Sequence, residues 1–193
     1  VLALTNRHNF QYVVDIDIKG FFDNVNHGKL LKQIWTLGIR DKRLICIISK
    51  MLKAEIDGEG VPEKGTPQGG LLSPLLSLIV LNELDWWVSS QWETFQPKNR
   101  SKNGWLQYAK KYTKLKSGFI VRYADDFKIM CSTYGEAQRF YRSTVDFLNK
   151  RLKLEISPEK SKVVNLKKNS SDFLGFKIKA VSYTHLTLPT ILR

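Results

Sequence analysis

Cysteine is scarce in this 193-residue chain. The only two, Cys46 and Cys131, each sit in an apolar run with no partner at a metal-ligand spacing. A disulfide framework and a cysteine-based zinc site are excluded, and both thiols are expected to lie buried in a protein of a reducing cytoplasm. Histidine is rarer than chance clustering needs: three residues, dispersed, leave no histidine metal centre and no catalytic dyad. Long apolar runs are missing too. The longest, Leu71 to Leu81, stops short of the roughly 20 residues of a spanning helix, and no secretory leader is visible, so no membrane segment is expected. "GTPQGG", Gly65 to Gly70, lacks the lysine that would follow in a phosphate-binding P-loop, which excludes nucleotide hydrolysis by that route.

Acid is short relative to base. Eighteen Asp and Glu against 31 Lys and Arg leave a net charge of +13. Such a balance points to a polyanionic partner, nucleic acid first and an anionic membrane surface second. One zone carries it most openly: Gln96 to Ser117 is rich in Lys and Arg and contains no acid. It reads either as a solvated loop or as an insertion in which Lys110, Lys111 and Lys114 meet phosphates while Trp105, Tyr108 and Tyr112 stack on bases.

Periodicity supplies the elements. In "YVVDIDI" Val13, Asp15 and Asp17 share one strand face and Tyr12, Val14, Ile16 and Ile18 the other. "HGKLLKQIWTLG" and "DKRLICIISKMLKAEI" follow as helices, the second with a broad apolar face of Leu44, Ile45, Ile47, Ile48, Met51 and Leu52. Ser73-Pro74 suits a helix start, Ser as N-cap and Pro first inside, with the helix reaching about Trp92. "GFIVRYADDFKIMCST" reads as a β-hairpin turning at or near Asp125-Asp126. An amphipathic helix with Ala137, Phe140, Tyr141, Val145, Leu148 and Leu152 in one stripe comes next, then "ISPEKSK" as a turn and two short strands. The order predicts an α+β fold with helices packed on one face of a small antiparallel sheet.

The chemistry lies in the acids. Asp125 and Asp126 are adjacent at a hairpin tip between apolar strands, and a second strand end offers Asp17 just before Gly20. A solvated turn would account for the pair alone. Three carboxylates at converging strand ends would instead carry about −3, which hard divalent cations neutralise; Mg²⁺ takes oxygen ligands and keeps positions open for phosphates. Asp15 and Asp17 share a face about 6.6 Å apart along the strand, so geometry leaves both as candidates.

At this point a resemblance enters. "DIDIKGFFDNVNH", "GTPQGGLLSPLL", "VRYADDF", "ISPEKSK" and "FLGF" resemble, in order, five palm motifs of the reverse transcriptases encoded by bacterial group II introns, over residues 10 to 180. The resemblance implies the palm of a right-hand polymerase, with fingers and thumb largely missing: a partial domain over 1–180, the basic insertion 96–117 within it, and an atypical tail, 181–193, more like translated adaptor sequence than any part of the family. It implies RNA-directed DNA polymerisation, with transfer of deoxynucleotides onto a primer 3′-hydroxyl, and a parent that is also an intron maturase.

By position, Asp17, Asp125 and Asp126 match the metal-binding aspartates, with the carbonyl of Ile18 as a further ligand to two Mg²⁺. Asp15 then becomes salt-bridged or supporting, and Asp23 a structural partner at the following helix. Gly20, Phe21, Phe22 and Gln68 match nucleotide-binding positions: backbone amides for the triphosphate, the Phe22 ring under the sugar, Gln68 beside sugar and base. Lys160 resembles the basic residue assisting the pyrophosphate, and Phe173, Leu174, Gly175 and Phe176 the primer grip. The partners implied are an RNA template, a DNA primer, intron RNA and a dNTP, in a bacterial cytoplasm. Competing readings are a splicing-only RNA-binding maturase and a retron or diversity-generating reverse transcriptase. A palm-like cyclase is disfavoured by the basic charge and the primer-grip-like strand.

Overall fold

β-Branched residues alternating with acids make β1, Tyr12–Ile16, and the alternation decides what each face meets. The computed structural model describes residues 10–55, 60–66, 70–91, 93–94 and 117–180. After β1, a short 3₁₀ turn at Phe22–Asn24 leads to α1, His27–Thr36, and α2, Lys42–Leu52; α3 covers Ser73–Gln91. The hairpin is β2, Phe119–Tyr123, and β3, Asp126–Cys131. It is followed by α4, Tyr134–Phe147, which runs on as a π turn to Leu152, then by β4, Lys162–Asn165, β5, Ser171–Phe173, and β6, Phe176–Ile178. Gln68, Lys110, Lys111, Lys114, Trp92 and the tail lie outside the described residues.

Four strands form one antiparallel sheet in the order β2-β3-β1-β4. Val14 and Ile16 face the helices, joining Phe127, Ile129, Leu30, Leu81, Leu84 and Phe140 in the main core. Each such side chain contributes about 1.5–3 kcal/mol on burial. Val13 faces the other way, into a smaller core with Met130, Val164, Phe173 and Ile178. Helices therefore cover one face, as expected for the α+β class, while the β5-β6 hairpin covers the other, which strand periodicity did not indicate. Among the described residues no helix is long and apolar enough to cross a membrane.

Caps explain the helix starts. Asn26 accepts the Lys29 N–H at 2.9 Å, Asp41 accepts those of Arg43 and Leu44, and Thr133 with Glu136 forms a capping box. The cap of α1 is thus Asn26; Asp23 lies in the 3₁₀ turn before it. Ser73 is already inside α3, whose stripe Leu76, Val80, Leu84 and Val88 is buried at i, i+4 spacing.

Two expectations change. The apolar face of α2 buries Ile48 and Leu52 but leaves Leu44, Ile47 and Met51 exposed, because the neighbouring helix reaches only one side of it. Cys46 is exposed on the same helix, whereas Cys131 is buried and its thiol pushed far up by burial, with Glu136 adding to the shift.

Candidate active site at the strand ends

Strand register brings the acids together. β1 pairs with β3 from Tyr12↔Cys131 to Ile16↔Phe127. The ladder ends there, so Asp17 is the residue just beyond it on the first strand and Asp126, which opens β3, the residue just before it on the other. Beyond Ile16 the chain is held from the other side: the Asp17 N–H donates to Ser161 Oγ at 3.1 Å, its carbonyl accepts from Ser157 N–H at 2.8 Å, and Lys19 N–H donates to Glu155 O at 2.9 Å. Because residues 17 and 19 make the bonds flanking the Ile18–Ile156 bridge, antiparallel alternation turns Ile18's own carbonyl away from Ile156 and toward the hairpin tip.

The tip is a two-residue turn at Ala124-Asp125, so Asp126 opens β3. Its left-handed residue is Ala124, at φ +54°, a conformation that costs a non-glycine residue on the order of 1–2 kcal/mol. Arg122 compensates: Nη1 donates to the Ala124 carbonyl at 2.8 Å while Nε reaches both oxygens of Asp85 on α3 at 2.9 and 3.0 Å. A bidentate guanidinium is stiff, so the strained turn is anchored to α3.

Asp126, Lys128, Asp15 and Asp17 all project on the face away from the helices. Lys128, only 2% exposed, answers how acid is tolerated there. Its Nζ lies 2.7 Å from Asp15 Oδ1 and 3.9 Å from Asp126 Oδ1, and 5.6 Å from the centroid of Phe173. Ser171 Oγ donates to the other Asp15 oxygen at 3.1 Å. Asp15 is therefore salt-bridged inside the sheet.

Asp126 is shifted first by its burial. Burial pushes its carboxyl above the ordinary range; Lys128 and the Leu174 N–H pull it down, and Asp15 and Asp125 push it back up, leaving it raised. The Leu174 contact matters for the "FLGF" stretch. Leu174 at φ +52° and Gly175 at φ +78° form the two-residue turn between β5 and β6, both left-handed as a type I′ hairpin requires. Phe173 is buried in the smaller core, and Leu174 and Phe176 are exposed at the tip. The β5-β6 turn thus sits against Asp126 itself.

On the other flank, Lys160 Nζ is 3.8 Å from Asp17 Oδ2 on an exposed turn. Gly20 turns the chain at φ +50°, Phe21 is buried in the main core, and Phe22 lies edge-on to it, half-buried, with ring centroids 5.4 Å apart. The Phe22 carbonyl accepts the Thr66 N–H at 2.7 Å, Gly65 N–H donates to Val25 O at 2.7 Å, and His27 Nε2 meets Gly65 O at 2.7 Å. His27 therefore clamps the 60–66 loop to the turn after β1. Gly65, at φ +98°, is required: a Cβ there would lie 3.0 Å from Asp23 O.

The donor set suits a hard divalent cation: carboxylates at the end of β1 and at the hairpin tip, one of them, Asp126, raised above its ordinary pKa first by burial. The side chains are not closed on a common point, for among the described residues no three of His, Cys, Asp and Glu are grouped closely enough to hold an ion. Lys128, Arg122 and Asp85 were missed by the sequence reading. An interior lysine between apolar residues of a strand next to a clustered pair of acids is the one signal that could have found the first.

The family profile described as "Reverse transcriptase (RNA-dependent DNA polymerase)" matches residues 2–178. Among curated relatives, the group II intron-encoded protein LtrA of Lactococcus lactis subsp. cremoris is 31% identical over 88% of this chain and 35% of its own length. A putative COX1/OXI3 intron 1 protein of Saccharomyces cerevisiae is 27% identical over 94% of this chain and 25% of its own. The chain spans about a third or less of these relatives' length. Among solved structures, apo telomerase from Candida tropicalis, truncated from its C-terminal domain, superposes with a TM-score of 0.62 at 16% identity over 93% of this chain and 36% of that one, which is a likeness of fold.

Proposed function

The chain belongs to the reverse transcriptase (RNA-dependent DNA polymerase) family, and from that premise we propose that it is the palm of a group II intron-type enzyme that extends a primer on an RNA template. The observation that carries the reading is the placement of Asp17 and Asp126 directly beyond the last β1–β3 pair, with the Ala124-Asp125 tip next to them, Lys160 beside Asp17, and the β5-β6 turn bonded to Asp126. The likeness to LtrA supports the intron type.

In this reading Asp17, the Ile18 carbonyl, Asp125 and Asp126 hold two divalent cations such as Mg²⁺. When bound, these would lower the pKa of the primer 3′-hydroxyl and offset charge on the leaving pyrophosphate. The remaining work falls to the chain. Lys160, exposed and mobile about four carbons of stem, reaches oxygens of the leaving group. The amides after Gly20 face the triphosphate, and the half-buried Phe22 ring, edge-on to Phe21 on a backbone tied to Thr66, limits space at the sugar's 2′ position and favours deoxynucleotides. Gln68 would lie by sugar and base. The exposed Leu174-Gly175 tip holds the primer end. RNA template, DNA primer, dNTP and intron RNA are the partners, in a bacterial cytoplasm.

Primer extension by the full-length protein on an RNA template, with labelled dNTP and Mg²⁺, tests this. Extension with dNTP and little with rNTP is expected. RNA binding without any extension would replace the polymerase reading by that of a splicing cofactor.

A further inference from the structure

On the outer side of α1 and α3, across the sheet from the acids, a groove of about 540 Å³ opens between the two helices. Lys29, Lys32 and Arg151 line it against the single carboxylate of Glu83. Glu83 is shared: Lys29 Nζ lies 2.8 Å from it, Arg151 Nε pairs with its other oxygen, and Gln33 Nε2 donates to it at 2.7 Å while also donating to the Val80 carbonyl. These bonds fix the two shared cations in place and settle the orientation of the amide. Lys32 is exposed and makes no ion pair among the described residues, so the lining is net cationic.

The aromatic residue is the second observation. Trp86 and Trp87 are adjacent on α3 and have opposite fates. Trp87 stacks on Phe147, centroids 4.6 Å apart and planes 20° from parallel, whereas Trp86 lines the groove 61% exposed. An indole so exposed beside fixed cations is a stacking surface with phosphate partners next to it. The volume lies in the range of small-ligand sites, roughly 300–1,000 Å³. That suits one or two nucleotides and is too small to seat a helix about 10 Å across.

We propose that this groove is a second binding site for single-stranded RNA, with a base on Trp86 and phosphates on Lys32, Lys29 and Arg151, separate from the catalytic face. An acidic peptide would use the cations but leave the exposed indole without a stacking partner. The choice of RNA over DNA rests on the polymerase reading above; the site itself does not.

The test uses the 193-residue chain and a labelled 12-nucleotide single-stranded RNA carrying 4-thiouridine. Trp86→Ala should weaken binding on the order of 5- to 100-fold, the loss of one stacked base, with Trp86→Phe retaining most of the affinity. Lys32→Ala should flatten the slope of log affinity against log salt by about 0.7, one phosphate on a single strand. Crosslinks should map to α1 and α3. Asp125→Asn, on the opposite face, should bind and crosslink there as wild type does even if extension is lost, which separates this site from the polymerase reading. Unchanged binding by both groove variants, with crosslinks only elsewhere, overturns the proposal. So does displacement of the RNA by oligoglutamate at matched charge. Both substituted side chains are exposed, and unchanged thermal unfolding of the variants checks that the fold is intact.

Discussion

Lys128→Met is the perturbation that probes the interior of the sheet most sharply. Methionine nearly matches lysine in length and fills the same space, so the change removes a charge with little change in packing. What it leaves is Asp15, whose side chain is 18% exposed and whose remaining partner is the neutral hydroxyl of Ser171. Breaking a buried ion pair by removing one partner costs about 3–5 kcal/mol, whereas replacing both by apolar or neutral groups is close to neutral. The ring of Phe173 at 5.6 Å adds to the loss on the lysine side. Against a total of about 5–15 kcal/mol for a domain, the single variant should lose roughly a fifth or more of the stability. At roughly 2–4 °C per kcal/mol, Tm should fall by about 6–20 °C. Asp15→Asn with Lys128→Met should recover most of it, giving a coupling of about 2–4 kcal/mol in a double-mutant cycle read by urea unfolding. A single variant within about 0.5 kcal/mol of wild type, or no coupling, would refute the view that Lys128 neutralises the acids of this face.

Three further outcomes follow from the geometry. Gly65→Ala should cost about 2–3 kcal/mol and Gly38→Ala about 1 kcal/mol by chemical denaturation: both have φ near +100°, but only at Gly65 does a Cβ meet backbone, 3.0 Å from Asp23 O. Glu83 is pushed up by burial yet held below its ordinary 4.5 by hydrogen bonds from Lys29, Arg151 and Gln33. Its stabilising contribution is therefore full above about 4.5 and lost as pH falls through the lowered value, and Glu83→Gln should abolish that part of the acid dependence of Tm. Added Mg²⁺ should raise the Tm of the wild-type chain, as any ligand of the folded state does, and should do so far less for Asp17→Asn; equal shifts would remove Asp17 from the ion's ligands.

The strand pattern made much of this legible. The period of two in "YVVDIDI" assigned Val14 and Ile16 to one core and Val13, with both acids, to the other face, as observed. The hairpin, the amphipathic α4 and the α+β order were readable for the same reason: each is a local period with turn residues beside it. What was not readable depends on contacts distant in sequence. Lys128 looks like a solvated strand residue until β5-β6 covers that face, and nothing local to Arg122 names Asp85 as its partner. His27 reads as a helix-start residue, yet its ring closes on Gly65. The α2 stripe, strong in periodicity, overstated burial because amphipathicity reports which side could be covered and not whether a neighbour covers it.

The central claim is that the carboxylates at the end of β1 and the tip of the β2-β3 hairpin form a polymerase centre. Primer extension on an RNA template by the full-length protein carrying Asp125→Asn addresses it directly, with RNA binding and thermal unfolding measured on the same sample. Asp125 is half-buried at the turn and makes no ion pair among the described residues, so the fold should be unchanged. Extension should fall by on the order of 10³-fold or more while RNA binding persists. Extension at the wild-type rate would contradict the assignment.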